Sequence, residues 1–302
     1  MQVKNNITLY KGDCIDVGSY LLNQNKKGFI DLIYIDPPFG IKQDTKFNMP
    51  KWENNYQQKN RVDEIFPYVE SVCSKGECNY LRYMYPRLAL MRELLSDRGS
   101  IYVHLDWHVG HYVKLLLDEI FGKENFKNEI IWGYSRWAND STCFQRMHDS
   151  LFFYTKLQDN IFHEQRMPIP ETRKRNLVQI VNGKKVSMRD KNGNVVYRIQ
   201  TDKPVPDWWD ESDIWDSVFP VGKTGHERLN YDTQKPEKLL ERIIKASSDE
   251  DSIVADFFAG SGTTGAVAEK LGRKCLLVDN NDDAISTIKK RLNIEEVEWK
   301  IK

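Results

Sequence analysis

One apolar run constrains the fold of this chain more than any other feature of its 302 residues. Phe29 to Ile35 reads FIDLIYI, and a near-continuous apolar run of this length is typical of a strand buried on both faces of a parallel sheet. Such a sheet needs helices on both sides. The run therefore predicts an α/β fold. It ends at Asp36, where a parallel sheet presents its carboxyl edge to ligands.

Strand and helix patterns alternate on either side of this run. In the N-terminal third, we predict strands at Ile7–Tyr10, Ser100–Leu105 and Glu129–Trp132, and helices at Arg87–Asp97 and Tyr112–Phe121. Towards the C-terminus, we predict helices at Pro236–Ser247, Thr263–Leu271 and Asp283–Leu292, and strands at Ser252–Phe258 and Lys274–Val278. This alternation predicts a doubly wound, mostly parallel sheet.

The middle of the chain breaks the alternation. Leu177 to Gln200 contains two Asn-Gly pairs, Asn182-Gly183 and Asn192-Gly193, between runs rich in β-forming residues, and this pattern indicates a β-meander. We therefore predict one domain from residues 1–132 and 226–302, and a smaller inserted domain at residues 133–225. The polar segment from Gly40 to Asn79 has little periodicity and is predicted to be a functional loop.

Charge is unevenly distributed, although the formal net charge is zero. His163 to Lys203 contains ten basic and four acidic residues, whereas Pro204 to Asp216 contains five acidic residues and no Lys or Arg. A local basic block fits contacts with nucleic-acid phosphates. Charge alone, however, favours the simpler interpretation of a solvated surface.

Composition favours an intracellular protein. No apolar run is long enough to span a membrane and the N-terminus has no signal-peptide pattern, so we expect a soluble, cytoplasmic protein. The cysteines show no regular framework and are predicted to be reduced thiols. They are Cys14, Cys73, Cys78, Cys143 and Cys275. His104, His108 and His111 need not converge in space, so no metal site is expected.

A glycine-rich motif joins a predicted strand to a predicted helix near the C-terminus. It runs from Phe258 to Gly265 (FAGSGTTG), and Asp279 at the end of the next strand is placed to bind ribose hydroxyls. By itself the motif fits NAD and S-adenosylmethionine almost equally well. A dinucleotide fold needs several strands after Asp279, and the chain ends at Lys302 without room for them. The position of the motif therefore favours S-adenosylmethionine.

The second motif is Asp36-Pro37-Pro38-Phe39. The amino group of a nucleic-acid base is a poor nucleophile because its lone pair is delocalised into the ring. The Asp36 carboxylate and the Pro37 carbonyl would accept its two N–H hydrogens, and the prolines would fix the turn that presents both acceptors. Phe39 would stack on a base turned out of the double helix. A strand that simply ends in an Asp-Pro turn is the alternative, and this motif alone does not separate the two.

Taken together, the motifs resemble the β-group amino methyltransferases of bacterial modification systems. The matching segments are Gly12–Cys14, Asp36–Phe39, Gly99–Asp106, Glu119–Trp132, Thr233–Pro236 and Asp256–Thr264. The resemblance implies a Rossmann-like class I methyltransferase fold with a circularly permuted motif order, because most methyltransferases have the glycine motif first. It also implies that the inserted domain recognises the DNA target.

The resemblance also assigns roles to residues. Asp13 would contact the adenine ring of S-adenosylmethionine, and Asp279 would hold the ribose, although the family more often has Glu there. The glycine motif and the start of the Pro236 helix would line the rest of the cofactor site. The other predicted cofactor-binding residues are Cys14, Gln234, Lys235, Pro236, Asp256, Phe258, Gly260, Gly262, Thr263 and Asn280. The predicted catalytic residues are Asp36, Pro37, Pro38 and Phe39.

The acceptor implied by the resemblance is N6 of adenine in double-stranded DNA, because members with Asp at position 36 mostly modify adenine and those with Ser mostly modify N4 of cytosine. Phosphate contacts are expected from Arg173, Lys174, Arg175, Lys184 and Lys185. N4-cytosine methylation is the close alternative. An RNA or protein methyltransferase is a more distant one, and a DNA-binding protein without catalysis is disfavoured because both motifs are intact.

Three further expectations concern assembly and packing. Family members often form homodimers and act beside a cognate restriction endonuclease, and the sequence leaves both open for this chain. Trp208, Trp209 and Trp215 are interpreted as core or interdomain packing residues rather than base-stacking groups.

Overall fold

The computed structural model describes residues 6–38, 71, 73–134, 142–209, 229, 231 and 233–295. Phe39, Trp215 and most of the predicted loop between Gly40 and Asn79 lie outside these ranges. The described strands are β1 (Ile7–Lys11), β2 (Ile30–Ile35), β3 (Leu95–Leu105), β4 (Phe126–Gly133), β5 (His148–Thr155), β6 (Arg166–Asn176), β7 (Val178–Val181), β8 (Lys184–Ser187), β9 (Tyr197–Pro204), β10 (Trp208–Trp209), β11 (Ile253–Asp256) and β12 (Lys274–Asp279).

Eight of these strands form one sheet in the order β1-β12-β11-β2-β3-β5-β4-β10. Every strand except β5 runs in the same direction, because β5 is antiparallel to both β3 and β4. The strand order joins the N-terminal and C-terminal parts of the chain, since β2 pairs with β11 through Leu32 and Val254. The predicted doubly wound, mostly parallel sheet is confirmed.

Helices cover both faces of this sheet. They are α1 (Cys14–Asn23), α2 (Lys75–Leu94), α3 (Gly110–Phe121), α4 (Glu237–Ser247), α5 (Thr263–Lys270) and α6 (Asp282–Leu292). The first three pack on one face and the last three on the other, so the core has two layers. Alternate residues of β2 point to opposite layers: Ile33 lies with α1 to α3, and Leu32 lies with α4 to α6.

The helix predicted at Arg87–Asp97 is longer and ends earlier than expected. It begins at Lys75, where Ser74 and Glu77 form a capping box, and it ends at Leu94. Leu95 already belongs to β3 and pairs with Ile30. The prediction began only after Pro86, which lies inside the observed helix, because proline is typical of a helix start and not of a helix interior. It misplaced the end because the strand pairing is a long-range contact.

The predicted domain boundary at residue 133 also needs correction. β5 (His148–Thr155) lies inside the central sheet, where it pairs with β3 and β4 along its whole length. β10 adds a short edge strand through Trp208 and Trp209, which pair with Ile131 and Trp132. The part of the described chain that leaves the sheet is therefore narrower than residues 133–225. The boundary was misjudged because the pairing of β5 with β3 and β4 is a long-range contact that its own residues do not signal.

The excursion from the sheet consists of two antiparallel pairs, β6 with β9 and β7 with β8, which together we call the basic ribbon. Asn182 and Gly183 both have positive φ angles, as the tight turn of the β7–β8 hairpin requires. The predicted meander is wrong in its pairing, because β9 returns beside β6 and not beside β8. Asn192 and Gly193 lie in a loop that Asp190 holds through the backbone N–H groups of Asn192 and Asn194.

Two cysteines differ from the sequence prediction. Cys73 and Cys78 form a disulfide, with their Cα atoms 6.0 Å apart, so reduced thiols were the wrong prediction for this pair. Cys73 directly precedes the N-cap of α2 and Cys78 lies in its first turn, and this helix start brings the two together. Cys14 and Cys275 are buried free thiols. No helix in the described ranges is long and apolar enough to cross a membrane.

Candidate active site

A cavity of about 310 Å³ opens at the carboxyl edge of the sheet, where β1, β2, β11 and β12 end. Its walls come from segments that are far apart in sequence. Asp13, Asp36 and Pro37 contribute from the N-terminal third, whereas Gly260 and Asp279 contribute from the C-terminal part. The strand order explains this meeting, because β2 lies directly beside β11. The two predicted motifs therefore share one cavity.

The glycine motif forms the turn between β11 and α5. Gly260 and Gly262 have φ angles of +49° and +74°, which L side chains rarely adopt. A Cβ atom on Gly260 would lie 3.3 Å from the ring of Tyr231, and one on Gly262 would lie 3.0 Å from Ile288. Gly260 therefore keeps one wall of the cavity open, whereas Gly262 allows α6 to pack closely against the start of α5.

Asp279 ends β12 and ties the glycine turn to the next loop. Its Oδ2 atom accepts a hydrogen bond from the backbone N–H of Gly260 at 2.8 Å, and its Oδ1 atom accepts one from Asn281 at 2.9 Å. Burial raises the pKa of this carboxyl above its ordinary value. Each carboxylate oxygen has two lone-pair sites, so Asp279 can still accept hydrogen bonds from ligand hydroxyls.

Asp256 ends β11 and is almost fully buried. It accepts hydrogen bonds from the backbone N–H of Phe258 at 3.0 Å and from the Thr264 hydroxyl at 2.5 Å. Burial raises the pKa of this carboxyl to about 7, with further contributions from the nearby carboxylates of Asp36 and Asp279. Asp256 thus fixes the conformation of the glycine motif through hydrogen bonds to both of its ends.

Asp13 caps α1 by accepting a hydrogen bond from the Ile15 N–H at 2.8 Å. Its second oxygen lies 2.7 Å from the Nη2 atom of Arg87, a buried guanidinium that also lies over the ring of Tyr83. The neighbouring thiol of Cys14 has its pKa raised by burial, so it remains protonated. Arg87 thus holds one wall of the cavity through a charge-assisted hydrogen bond.

Asp36 follows β2 and makes an ion pair with Lys235, with 2.5 Å between its Oδ2 atom and Nζ. The Oδ1 atom of Asp36 is buried and has no hydrogen-bond partner in the described part of the chain. An unsatisfied buried acceptor is costly, and such atoms are found where a ligand completes the bonding. The cavity therefore contains a buried oxygen, Oδ1 of Asp36, that can accept a hydrogen bond from a bound ligand.

A chain of buried hydrogen bonds extends from the cavity wall into the sheet. The Tyr34 hydroxyl lies 2.9 Å from Nδ1 of His104, and Nε2 of His104 lies 3.1 Å from Asp149, which also accepts from the Tyr134 hydroxyl. Burial lowers the pKa of His104, and the positive charge of Lys235 lowers it further, so this imidazole is neutral near pH 7. In the residues described, no group of His, Cys, Asp or Glu is arranged to hold a metal ion.

Most of the predicted site residues meet at the cavity. Those that line it are Asp13, Cys14, Asp36, Pro37, Pro38, Lys235, Asp256, Phe258, Gly260, Thr263, Asp279 and Asn280. Three others support the wall without lining it: Gln234 accepts from the Leu229 N–H, Pro236 precedes α4, and Gly262 packs on Ile288. Phe39 lies outside the described residues.

The predicted DNA-contacting residues lie away from the cavity, on the basic ribbon. Arg173, Lys174 and Arg175 are in β6, and Lys184 and Lys185 are in β8. All five are exposed. Of the tryptophans interpreted as packing residues, Trp209 is buried and lies beneath the guanidinium of Arg242, whereas Trp208 is 54% exposed and does not fit that interpretation.

Sequence reasoning missed several cavity residues. They are Gly12, Tyr34, Tyr83, Tyr231, Thr233, Leu240, Phe257, Ala259, Ser261, Thr264 and Asn281. Some were within reach of the sequence, since Gly12, Phe257, Ala259, Ser261 and Thr264 lie inside the motifs. Tyr83 and its neighbour Arg87 gave no signal, because their place depends on how α2 packs against α1.

Comparisons with known proteins agree with this geometry. The sequence matches the family described as DNA methylase over residues 30–290. It is similar to the type III restriction-modification enzyme StyLTI Mod subunit of Salmonella typhimurium strain LT2, at 27% identity over 368 residues, which cover 98% of this chain and 56% of that protein. It is also similar to DNA adenine methyltransferase YhdJ of Escherichia coli strain K12, at 27% identity over 271 residues, 88% of this chain and 76% of that protein.

Solved structures share the fold. The PvuII DNA methyltransferase (cytosine-N4-specific) superposes with a TM-score of 0.58 at 15% identity, covering 96% of this chain and 89% of that one. The M1.HpyAVI-SAM complex superposes with a TM-score of 0.54 at 17% identity, covering 95% of this chain and 100% of that one. At such identities the likeness shows a common architecture.

Proposed function

Because this chain belongs to the DNA methylase family, we propose that it transfers a methyl group from S-adenosylmethionine to N6 of adenine in DNA. One observation carries the proposal: the buried acceptor Oδ1 of Asp36 and the glycine turn at Gly260 belong to the same cavity. A donor bound on the glycine turn and a base bound at Asp36 would therefore be held next to each other.

The residues of the cavity fit S-adenosylmethionine. Asp279 offers carboxylate oxygens for ribose hydroxyls, Gly260 allows close approach of the cofactor, and apolar side chains such as Phe258 and Leu240 line the walls. Asp13, held by Arg87, is proposed to contact the adenine ring. When bound, the cofactor supplies a methyl group activated by a positively charged sulfur.

The rest of the chemistry belongs to residues of this chain. Oδ1 of Asp36 would accept one N–H hydrogen of the target amino group, and the main-chain carbonyl of Pro37 would accept the other. These bonds favour a more tetrahedral nitrogen, whose lone pair is better directed for attack. The nitrogen must lose one proton after transfer, and the oxygen that already accepts the N–H is placed to receive it.

The choice of adenine rests on Asp36. By the resemblance described above, Asp at this position accompanies adenine methylation, and the relative YhdJ is named as a DNA adenine methyltransferase. N4-cytosine methylation is the second candidate, because the PvuII enzyme with that specificity shares the fold. Phe39 is proposed to stack on the flipped base.

The basic ribbon is proposed to hold double-stranded DNA. Its exposed Lys and Arg side chains would contact phosphates, which fix the register of the duplex relative to the cavity. We propose target recognition as the role of this inserted part of the chain. By similarity to a relative named as a restriction-modification subunit, we further propose that the protein acts beside a cognate endonuclease. A cytoplasmic location and homodimer formation are proposed from the sequence analysis and the family resemblance alone.

The test is mass spectrometry of nucleosides from DNA that the purified protein has methylated. We expect N6-methyldeoxyadenosine, with no N4-methyldeoxycytidine. Detection of only the cytosine product would replace adenine by the second candidate. Transfer of labelled methyl groups to RNA but not to duplex DNA would overturn the proposal.

A further inference from the structure

The ion pair between Lys235 and Asp36 links the two sides of the cavity. Nζ of Lys235 lies 2.5 Å from Oδ2 of Asp36, and both side chains are mostly buried. We infer that Lys235 is a positioning residue that holds Oδ2 of the Asp36 carboxylate and leaves Oδ1 to accept the amino hydrogen of the target base. This inference rests on the proposed role of Asp36.

The main chain of Lys235 is anchored on the opposite side, at the glycine motif. The Thr263 hydroxyl donates a hydrogen bond to the Lys235 carbonyl at 3.2 Å, and Thr263 in turn accepts from Nη1 of Arg291 at 2.9 Å. Arg291 is itself held by Glu237, the first residue of α4, at 2.8 Å. A lysine side chain normally has many rotamers, but this one is restrained at both ends. Lys235 therefore sets the position of Asp36 relative to the first turn of α5.

Lys235 supplies the positive charge that faces Asp36. Burying a carboxylate is costly unless it is paired with a cation and hydrogen-bonded. The titratable and charged groups around Asp36 are Tyr34, Tyr80, His104, Tyr231, Lys235 and Asp256. Among these described groups Lys235 alone is cationic near pH 7, since burial and Lys235 itself lower the pKa of His104.

The sequence resemblance suggested a different role for Lys235, as one of the residues that bind the cofactor. The two roles make different demands on the side chain. If Lys235 contacts the cofactor, its replacement would weaken cofactor binding. If Lys235 positions Asp36, its replacement would slow methyl transfer and leave cofactor affinity unchanged.

The experiment compares Lys235→Gln, Lys235→Arg and the control Lys245→Gln, which removes a lysine of α4 that pairs with Glu241 at 2.5 Å outside the cavity. Single-turnover methyl transfer to DNA is recorded at pH 7, and S-adenosylmethionine affinity is measured by calorimetry. For Lys235→Gln we expect methyl transfer to fall about 10- to 100-fold. Cofactor Kd should change less than about 3-fold, and the control should match the wild type.

Lys235→Arg keeps the positive charge and should retain most of the wild-type rate, even if Lys235→Gln does not fold. Three outcomes would overturn the inference. They are a near-wild-type rate in a folded Lys235→Gln, a weakened cofactor Kd as the main defect, or an Arg variant as slow as the Gln variant. A wild-type protein that methylates no DNA would instead refute the proposed function itself.

Discussion

The central sheet and the basic ribbon are both built from β-strands, but their surroundings are opposite. In β2, five of six residues are buried, whereas all four residues of β7 are exposed. The sheet gains its stability from apolar packing on both faces, and the ribbon depends on its own hydrogen bonds and turns. The residues that carry chemistry are therefore fixed by the core, while the ribbon can change its surface charges at little cost to folding.

The largest expected difference is in stability. Ile33 in β2 is fully buried and Ile199 in β9 is 66% exposed, so the same substitution tests both regions. Ile33→Ala should lower the free energy of unfolding by about 2–5 kcal/mol, because it leaves a cavity in a packed core. Ile199→Ala should change it by less than about 0.5 kcal/mol. Urea unfolding of both variants provides the measurement, and equal losses would contradict the contrast between the regions.

The second prediction concerns DNA binding. Combined replacement of Arg173, Lys174 and Arg175 by Ala should weaken DNA affinity about 10- to 100-fold near physiological salt and reduce the salt dependence of binding. Methyl transfer at saturating DNA and the melting temperature should stay near wild type. The control replaces Lys26 and Lys27, two exposed lysines before β2, by Ala. DNA affinity is measured by fluorescence anisotropy at several salt concentrations. If the ribbon variant and the control variant lost DNA affinity equally, the ribbon would not be the DNA-binding surface.

The third prediction concerns pH, where the two regions should differ in sign. Burial raises the pKa of Asp256 to about 7, so the stability linked to this group is present below about pH 4 and is lost as pH rises towards 7. Asp190, in the loop between β8 and β9, has its pKa lowered by hydrogen bonds from the backbone N–H and side chain of Asn194 and from the backbone N–H of Asn192. The stability linked to Asp190 is therefore present at neutral pH and lost as pH falls below about 4.

Asn at either position keeps the shape of the side chain and removes the titration. Between pH 4 and 7 the wild-type protein should lose stability of the order of 2 kcal/mol through Asp256, and Asp256→Asn should abolish this loss. A pKa difference corresponds to about 1.4 kcal/mol per pH unit, and the expected loss is smaller than that full value because buried sites relax. Asp190→Asn should change the stability only below about pH 4, and only slightly. Thermal melts across this pH range provide the comparison. If the melting temperatures of the wild type and Asp256→Asn changed in parallel across the whole pH range, the prediction for Asp256 would be contradicted.

The contrast also explains what could be predicted from sequence. The run at Phe29–Ile35 and the pattern at Ser252–Phe258 each indicated a strand without knowledge of its partners, because burial on both faces leaves a continuous apolar signal. The glycine turn and the position of Asp279 were also predicted from local sequence, because each directly follows or ends a predicted strand. Joining the two motifs at one cavity needed only the rule that parallel strands present their carboxyl ends at one edge.

Features that depend on long-range pairing gave no local signal. β5 was not predicted as a strand, and nothing in its residues shows that it inserts between β3 and β4. The hydrogen bond between His104 and Asp149 depends on that insertion, and the pairing of Arg87 with Asp13 depends on helix packing. The same limit applies to the basic ribbon, where the turn at Asn182-Gly183 was readable and the pairing of β9 with β6 was not.

The central claim is that Asp36 acts on the acceptor base in a cavity whose donor half binds the cofactor independently. The most direct measurement is methyl transfer and S-adenosylmethionine Kd for Asp36→Ala, beside Asp97→Ala, which alters an exposed carboxylate at the amino end of β3. We predict that Asp36→Ala lowers transfer by at least about 1,000-fold while Kd changes less than about 3-fold, and that Asp97→Ala leaves both unchanged. Near-normal transfer by Asp36→Ala would contradict the account.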